Sequence, residues 1–306
     1  MASMKQIKKR KKSVEATGKI TKAMKLVASV KLQKTKQIAT DATPYFDATY
    51  ETVCSILKHA AGVNHKYSSG NPNGKKAIIV ISSNKGLAGG YNSSIIKKIL
   101  DEDEQYRFTK DDTLVYALGT KVRDELARRG FEIKRDYPEA VDDVNISNCR
   151  EISSAVVNDF EKGEINEVYL VYTFFKNTMV HIPRVLKLFP IALDVPEMNE
   201  ETELIGKRTF VPRISQFEND GKMPMNFETE EDEVVNKMIP HQITALIFGA
   251  LTASVASENG ARMTAMDSAT KNAKELAEKL GKMYNSARQG AITQEITEIV
   301  AGANAI

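Results

Sequence analysis

The sequence predicts an α/β protein whose two ends are long helices that pair as a coiled coil, with a mostly parallel, Rossmann-like sheet between them. Three observations carry that reading. All nine prolines lie between Pro44 and Pro240, leaving the first 43 and last 66 residues without one. An interior proline costs a helix about 3 kcal/mol, so these stretches can be helical throughout. Between them, apolar runs alternate with helical patterns, the mark of βαβ units and a sheet covered on both faces. Charge is also segregated: residues 1–36 hold twelve Lys/Arg against Glu15 alone, a local +11 in a chain whose net charge is +3. Such polarity suits a molecule that meets different partners at different ends.

The first helix spans 1–60. Ile7, Val14, Thr17, Thr21, Met24 and Ala28 form a heptad-compatible stripe, with Ile20 and Val27 one position behind it. Pro44 predicts a kink or a break before Tyr45–Ala60. Ser68–Gly74 reads as a linker into an α/β domain over 75–195. There, strands are predicted at Lys76–Ser82, Thr113–Gly119, Phe131–Lys134, Asn166–Phe174 and Met179–Leu188. Helices are predicted near Tyr91–Leu100, Thr120–Arg129 and Ser147–Lys162. Residues 196–232 are an acidic loop region with one strand around Lys207–Ile214; Glu197–Glu233 carries eleven acids and four bases. The last helix spans 233–306, and from His241 onward it would reach roughly 99 Å at 1.5 Å per residue. Met266, Ala269, Ala273, Leu276, Leu280, Met283, Ala287 and Gly290 recur in steps of three and four, an a/d seam. Both seams are thin in large side chains, so the helices can approach closely while burying little apolar area.

Several classes of function are disfavoured. No run of some 18 uncharged apolar residues would span a membrane, and the lysine-rich start has no secretory h-region. Cys54 and Cys149 form no CxxC pair, and His59, His65, His181 and His241 stand alone, so neither a disulfide framework nor a metal centre is expected. Ser82–Asn92 follows a strand and opens a helix, where α/β folds cradle phosphate. Its glycines at 86, 89 and 90 match neither a Walker A loop nor GxGxxG, and the favoured reading is a structural turn. Asp111-Asp112 and Asp142-Asp143 read as solvated loop acids. Lys5, Lys8, Lys9, Arg10, Lys11 and Lys12 could neutralise nucleic-acid phosphates, yet no aromatic in the first 44 residues could stack on a base.

The end of the sequence is unusual. After Glu298 it reads Ile-Val-Ala-Gly-Ala-Asn-Ala-Ile, with no charge, where an exposed helix tip is normally polar. That predicts a tight apolar socket. Shortly before it, Arg288 and Gln289 offer a guanidinium fork and an amide suited to carboxylates or loop carbonyls.

Three separated segments resemble the gamma subunit of F-type ATP synthases: Gly18–Ala28 (GKITKAMKLVA), Gly86–Asn92 (GLAGGYN), and Ala287–Gln289 with Ile292–Ala303 (ITQEITEIVAGA). Ser257–Met263 (SENGARM) fits the same pattern, and the resemblance covers essentially the whole chain. Departures are small: Ala88 stands where many relatives carry cysteine, Ser83-Asn84-Lys85 replaces a common Asp-Arg pair, and 197–226 match least. There is no dithiol insertion of the chloroplast type and no transit peptide, so a bacterial protein is expected.

The resemblance implies a non-catalytic rotary shaft. The terminal helices would form an antiparallel coiled coil inside the ring of alpha and beta subunits. The α/β domain would form a foot that binds the epsilon subunit and sits on the membrane c-ring. It further implies beta-subunit contacts at Met24, Lys25, Arg288 and Gln289, a terminal bearing at Ile296, Ile299, Val300 and Ile306, and a membrane-ring contact at Phe227 and Glu228. No cofactor, catalytic residue or nucleic-acid partner is implied. The expected location is the cytoplasmic face of the bacterial cell membrane, peripheral and without membrane insertion. Two other classes remain open to the residues alone. One is a nucleotide- or phosphate-binding α/β enzyme with helical arms, the other a basic nucleic-acid-binding coiled coil. Nucleotide binding, or salt-dependent DNA retention, would point to them.

Overall fold

Apolar runs with β-branched side chains become the strands of a five-stranded sheet. The computed structural model describes residues 4–59, 67, 70–101, 106–190 and 231–304, without the side chains of 43–59, 231–236 and 302–304. The acidic region 196–230, its expected strand near 207–214, and Phe227, Glu228 and Ile306 lie outside the described residues. The elements run α1 (Met4–His59), β1 (Lys75–Ile81), α2 (Tyr91–Ile99), β2 (Thr113–Leu118), α3 (Thr120–Arg128), β3 (Glu132–Asp136), α4 (Glu139–Asp142), α5 (Ile146–Glu161), β4 (Ile165–Phe175), β5 (His181–Phe189) and α6 (Glu231–Asn304). Two compact units emerge. One comprises residues 1–30 with 262–306, the other Lys31–Ala261.

In the α/β unit the strand order is β3-β2-β1-β4-β5. Strands β3, β2, β1 and β4 are parallel, and β5 returns antiparallel on β4. The expected mostly parallel sheet is therefore present. The period of two distributes β1 between two cores: Ala77, Ile79 and Ile81 face one, Ile78 and Val80 the other. On the first face lie Cys149, Ile152, Val156 and Phe160 of α5 with Ile239, Ile243, Ile247 and Leu251 of α6. On the second lie Tyr91, Ile95 and Ile99 of α2 with Val122 and Leu126 of α3. Burial pushes the Cys149 thiol up to about 12, which leaves it protonated and inert.

Differences from the sequence-based expectations are local. Helix α1 continues through Pro44 without interruption. Strand β3 runs to Asp136 rather than Lys134, because Glu132 and Asp136 ion-pair with Lys75 and Arg123 and hold a polar edge in register. Asp142 closes the short helix α4, and its carboxylate accepts from the Asn84 amide. Helix α6 includes Pro240, whose carbonyl accepts from Thr244 and from Ser153 of α5. One 18-residue window of α6 reaches a mean hydropathy of 1.4, but 72% of it is buried within the protein, as befits a core helix.

In the paired-helix unit, α1 and α6 run antiparallel. Lys11 lies over Gly281, Gly18 against Ala273, Thr21 against Thr270 and Lys25 against Asp267, so each step up one helix is matched by a step down the other. A Cβ placed on Gly18 would lie 3.3 Å from that of Ala273, the closeness that small residues permit. The observed seam of α6 keeps Met266, Ala273, Leu280 and Ala287 but takes Thr270, Ala277, Tyr284 and Ala291 as its second row. The expected row of Ala269, Leu276, Met283 and Gly290 is displaced, and Leu276 and Met283 are exposed. On α1, Gly18 takes the place expected of Thr17. Where Gly18 meets Ala273 and Thr21 meets Thr270, small and hydrogen-bonding side chains let the backbones close in.

Candidate functional site

Two places could carry function: the glycine-rich turn of the α/β unit and the surface of the paired helices. The turn sits at the carboxyl end of β1, with β2 on one side and β4 on the other. This is the reversal point at which open α/β sheets bind ligands. The first three amides of α3 donate to the loop: Thr120 to Asn84 Oδ1 at 3.1 Å, Lys121 to the Ser83 carbonyl at 3.1 Å, and Val122 to Ser82 Oγ at 3.4 Å. The Asn84 amide donates to the Pro138 carbonyl at 2.7 Å, and Asn92 bonds Ser83 Oγ at 2.7 Å. Leu87 and Gly89 turn the chain through the left-handed region, and the Tyr91 amide donates back to Ala88. These contacts satisfy the N-terminus of α3 and make the turn a structural latch between β1 and α3.

No acid–base or metal chemistry gathers elsewhere among the described residues. No three His, Cys, Asp or Glu side chains sit close enough together to hold a metal ion. The buried carboxylate of Asp159 accepts from the Tyr116 hydroxyl at 2.7 Å, with Lys162 and Arg135 at 3.9 Å. Desolvation and that bond raise the Tyr116 hydroxyl far above its ordinary range, so the pair is a fixed core contact.

The paired helices offer a different kind of surface. Apolar side chains that α6 leaves uncovered line α1: Ile20, Leu26, Val27 and Val30 are each about 60% exposed or more. By the one-for-one exchange between the helices, Arg288 is level with Met4, the first described residue of α1. Sixteen further residues of α6, Gln289–Asn304, continue beyond it for roughly 24 Å at 1.5 Å per residue. Arg288 and Gln289 are exposed, and their side chains bond nothing among the described residues. Ile292, Ile296, Ile299 and Val300 are likewise exposed, Ile299 at 71%. An apolar, lone helical end in water is unfavourable unless something covers it.

The structure separates the sequence-predicted contact residues into two levels. Met24 and Lys25 are half-buried on α1, Lys25 opposite Asp267, while Arg288 lies 21 residues further along α6 from Asp267. That is about 32 Å along the helix. Lys25 does not stand free: it donates to Asp267 Oδ1 at 2.6 Å, and Lys271 joins from one turn away at 3.1 Å. The hydrogen bonds from Lys25 and then Lys271 hold the Asp267 carboxyl below its usual range.

Sequence reasoning missed two sets of residues. Thr270 and Asp267 were invisible because their meaning depends on which α1 residues they face. Ser254 and Ser257 on α6 bond the Thr173 amide at 3.0 Å and its carbonyl at 3.3 Å, past the last β1 pairing of β4 at Val171. Two buried serines on an apolar helix were the only available signal.

A pair of long antiparallel helices with exposed apolar stripes, joined in sequence to an α/β unit, defines an assembly component. Comparisons agree with that class. The ATP synthase family model matches residues 3–306. An ATP synthase gamma chain of Lachnoclostridium phytofermentans is 47% identical over 307 residues, covering 100% of both chains. A sodium-ion-specific ATP synthase gamma chain of Acetobacterium woodii is 36% identical, covering 98% of this chain and 97% of that one. The fold is similar to a chain of the Euglena gracilis mitochondrial ATP synthase with a TM-score of 0.64 at 12% identity, covering 99% and 94% of the two chains. It is also similar to a chain of the Tetrahymena thermophila central stalk and c-ring, with a TM-score of 0.57 at 21% identity, covering 82% and 99%. The chain belongs to the ATP synthase gamma chain family.

Proposed function

We propose that this chain is the non-catalytic rotary shaft of an F-type ATP synthase, coupling ion flow through a membrane ring to ATP synthesis or hydrolysis on beta subunits. The observation that carries it is the paired-helix unit: a thin, close-packed rod that presents different side chains on its different faces. Turning such a rod inside a ring offers each beta subunit a different contact in turn. Each contact favours one conformation by differential binding. Nucleotide chemistry is assigned to the ring, as the family resemblance implies.

In this reading 1–60 and 233–306 supply the shaft helices and 75–195 the foot, with 196–232 between the foot and the second helix. Arg288 and Gln289 meet a beta-subunit loop at one level, and Met24 and Lys25 meet one at another. Ile296, Ile299 and Val300, with Ile306, enter the apolar socket. The foot joins the epsilon subunit and the c-ring, which makes the chain peripheral to the cytoplasmic face of a bacterial membrane. Relatives give no support to the enzyme or nucleic-acid readings.

A tagged chain recovered from detergent-solubilised membranes should bring down alpha, beta, epsilon and c subunits, identified by mass. Recovery without them overturns the shaft reading. The pure chain titrated with Mg-ATP in a calorimeter should show no micromolar binding, and a micromolar Kd would contradict the non-catalytic reading. Phe227 and Glu228 are assigned to the c-ring contact on the resemblance alone. Charge reversal, Glu228→Lys, should weaken ion-driven synthesis more than ATP hydrolysis by the detached soluble complex. Equal loss of both would place that segment elsewhere.

A further inference from the structure

Among the described residues, the seam of the paired helices holds a buried polar contact. Thr21, 8% exposed, lies with its hydroxyl 2.8 Å from that of Thr270. Each hydroxyl has a single proton. Thr270 Oγ1 is 2.7 Å from its own-helix carbonyl at Met266 and Thr21 Oγ1 is 3.1 Å from that at Gly18, so one hydroxyl donates across the seam while the other donates to its own helix. One turn to one side, Gly18 meets Ala273. One turn to the other, Lys25 bonds Asp267, which also holds Lys271.

The rest of the seam mixes small side chains, Ala28 and Ala273 among them, with the larger Ile7, Met266 and Leu280, and a heptad slide would change the polar contacts as well as this packing. The polar contacts do not survive such a slide. Moved by seven residues in one direction, Thr21 would face Ala277, and Lys25 would face Lys274. Moved in the other, Thr21 would face Met263. A single buried polar pair that fixes the register of a coiled coil, at some cost in stability, is an established device. An ion pair that becomes a like-charge pair on slippage strengthens the discrimination.

We propose that Thr21 and Thr270, supported by Lys25–Asp267, are positioning residues. They pin the axial register and rotational phase of α6 on α1, and so fix the level and direction at which Arg288 and the apolar end are presented. This rests on the shaft reading for its consequence, though not for the pin itself. A heptad slip would carry Arg288 about 10 Å along the axis, far enough to miss any partner loop set for the native register.

The test uses the full-length chain, spin-labelled at Lys19→Cys and Lys274→Cys with Cys54 and Cys149 replaced by alanine, and pulsed electron spin distance measurement. The parent should give one narrow distance. Thr21→Val with Thr270→Val and Asp267→Asn should broaden it or add a second, longer distance, with unchanged helix content by circular dichroism. Thr21→Ser with Thr270→Ser, which keeps both hydroxyls, should restore the single distance. Assembled with alpha and beta subunits, the valine variant should lose several-fold in ATP turnover and the serine variant should not. A single unchanged distance in the triple variant overturns the pin. A shifted distance with parental turnover overturns the positioning role. Loss of helix content in the triple variant, with the serine variant behaving in the same way, would show a packing role only and also overturns it. Failure of the parent chain to assemble at all would instead count against the shaft reading.

Discussion

Arg288→Ala should slow steady-state ATP turnover of the assembled complex several-fold, up to about tenfold, while leaving assembly intact. Arg288 is exposed, has no partner among the described residues and follows the seam residue Ala287 at the level where the described part of α1 begins. Its fork is therefore available to a carboxylate or carbonyl of a surrounding ring. A hydrogen bond to a charged group contributes on the order of 1.5–3 kcal/mol. About 1.4 kcal/mol is already a factor of ten between two conformations, so one such contact can bias a beta subunit. Arg288→Lys should recover part of the loss, because a point charge keeps the attraction without the planar fork. Parental turnover in both variants would remove this contact from the coupling path.

Gly119→Ala should be the most damaging small substitution in the α/β unit. Gly119 has φ near 105°, and a Cβ there would lie 2.3 Å from the Ser82 carbonyl oxygen. Backbone strain at such an angle costs about 1–3 kcal/mol. The overlap with backbone adds to it, because neither β1 nor α3 can retreat without breaking the three amide bonds of the latch. A total near 4 kcal/mol, at the severe end for a point change, corresponds to a melting temperature lower by roughly 8–16 °C for a unit of this size. Two other glycines calibrate the result. Gly163, at φ near 79° with nothing within 4 Å, should lose only the strain portion when changed to alanine. Gly86, with open space and no positive φ, should stay within about 0.5 kcal/mol. Equal melting temperatures for all three variants would refute the latch as a close-packed element.

Phosphate binding at the turn was the reading that sequence could weigh but not decide. The spacing of Gly86, Gly89 and Gly90 argued against a known phosphate motif, yet a loop between a strand and a helix N-terminus remained a possible site. What the structure adds is the identity of the groups facing the α3 amides. Asn84, Ser83 and Ser82 come from the preceding strand end, and Gly119 lets the two segments approach. Nothing local in Thr120–Val122 announces those partners. The same holds for Thr270 and Asp267, whose roles exist only opposite Thr21 and Lys25.

The sequence by itself determined the long terminal helices, through proline placement, and the parallel sheet, through apolar runs of strand length. It also located the uncharged end after Glu298 and the outward Arg288, since both follow from composition and position along a single helix. These properties depend on neighbours in the chain, so they are legible in it. Only the tertiary structure decided which row of α6 faces α1, placing Thr270, Ala277 and Tyr284 inward and leaving Leu276 and Met283 exposed. The division of each long helix between two units, at Val30 and Lys31 and at Ala261 and Arg262, was likewise decided there. Steps of three and four residues are equally helical, so periodicity cannot choose between the two rows. The choice came from across the seam, where Gly18 admits Ala273 closely and Thr21 supplies the hydrogen-bond partner that makes burying Thr270 favourable.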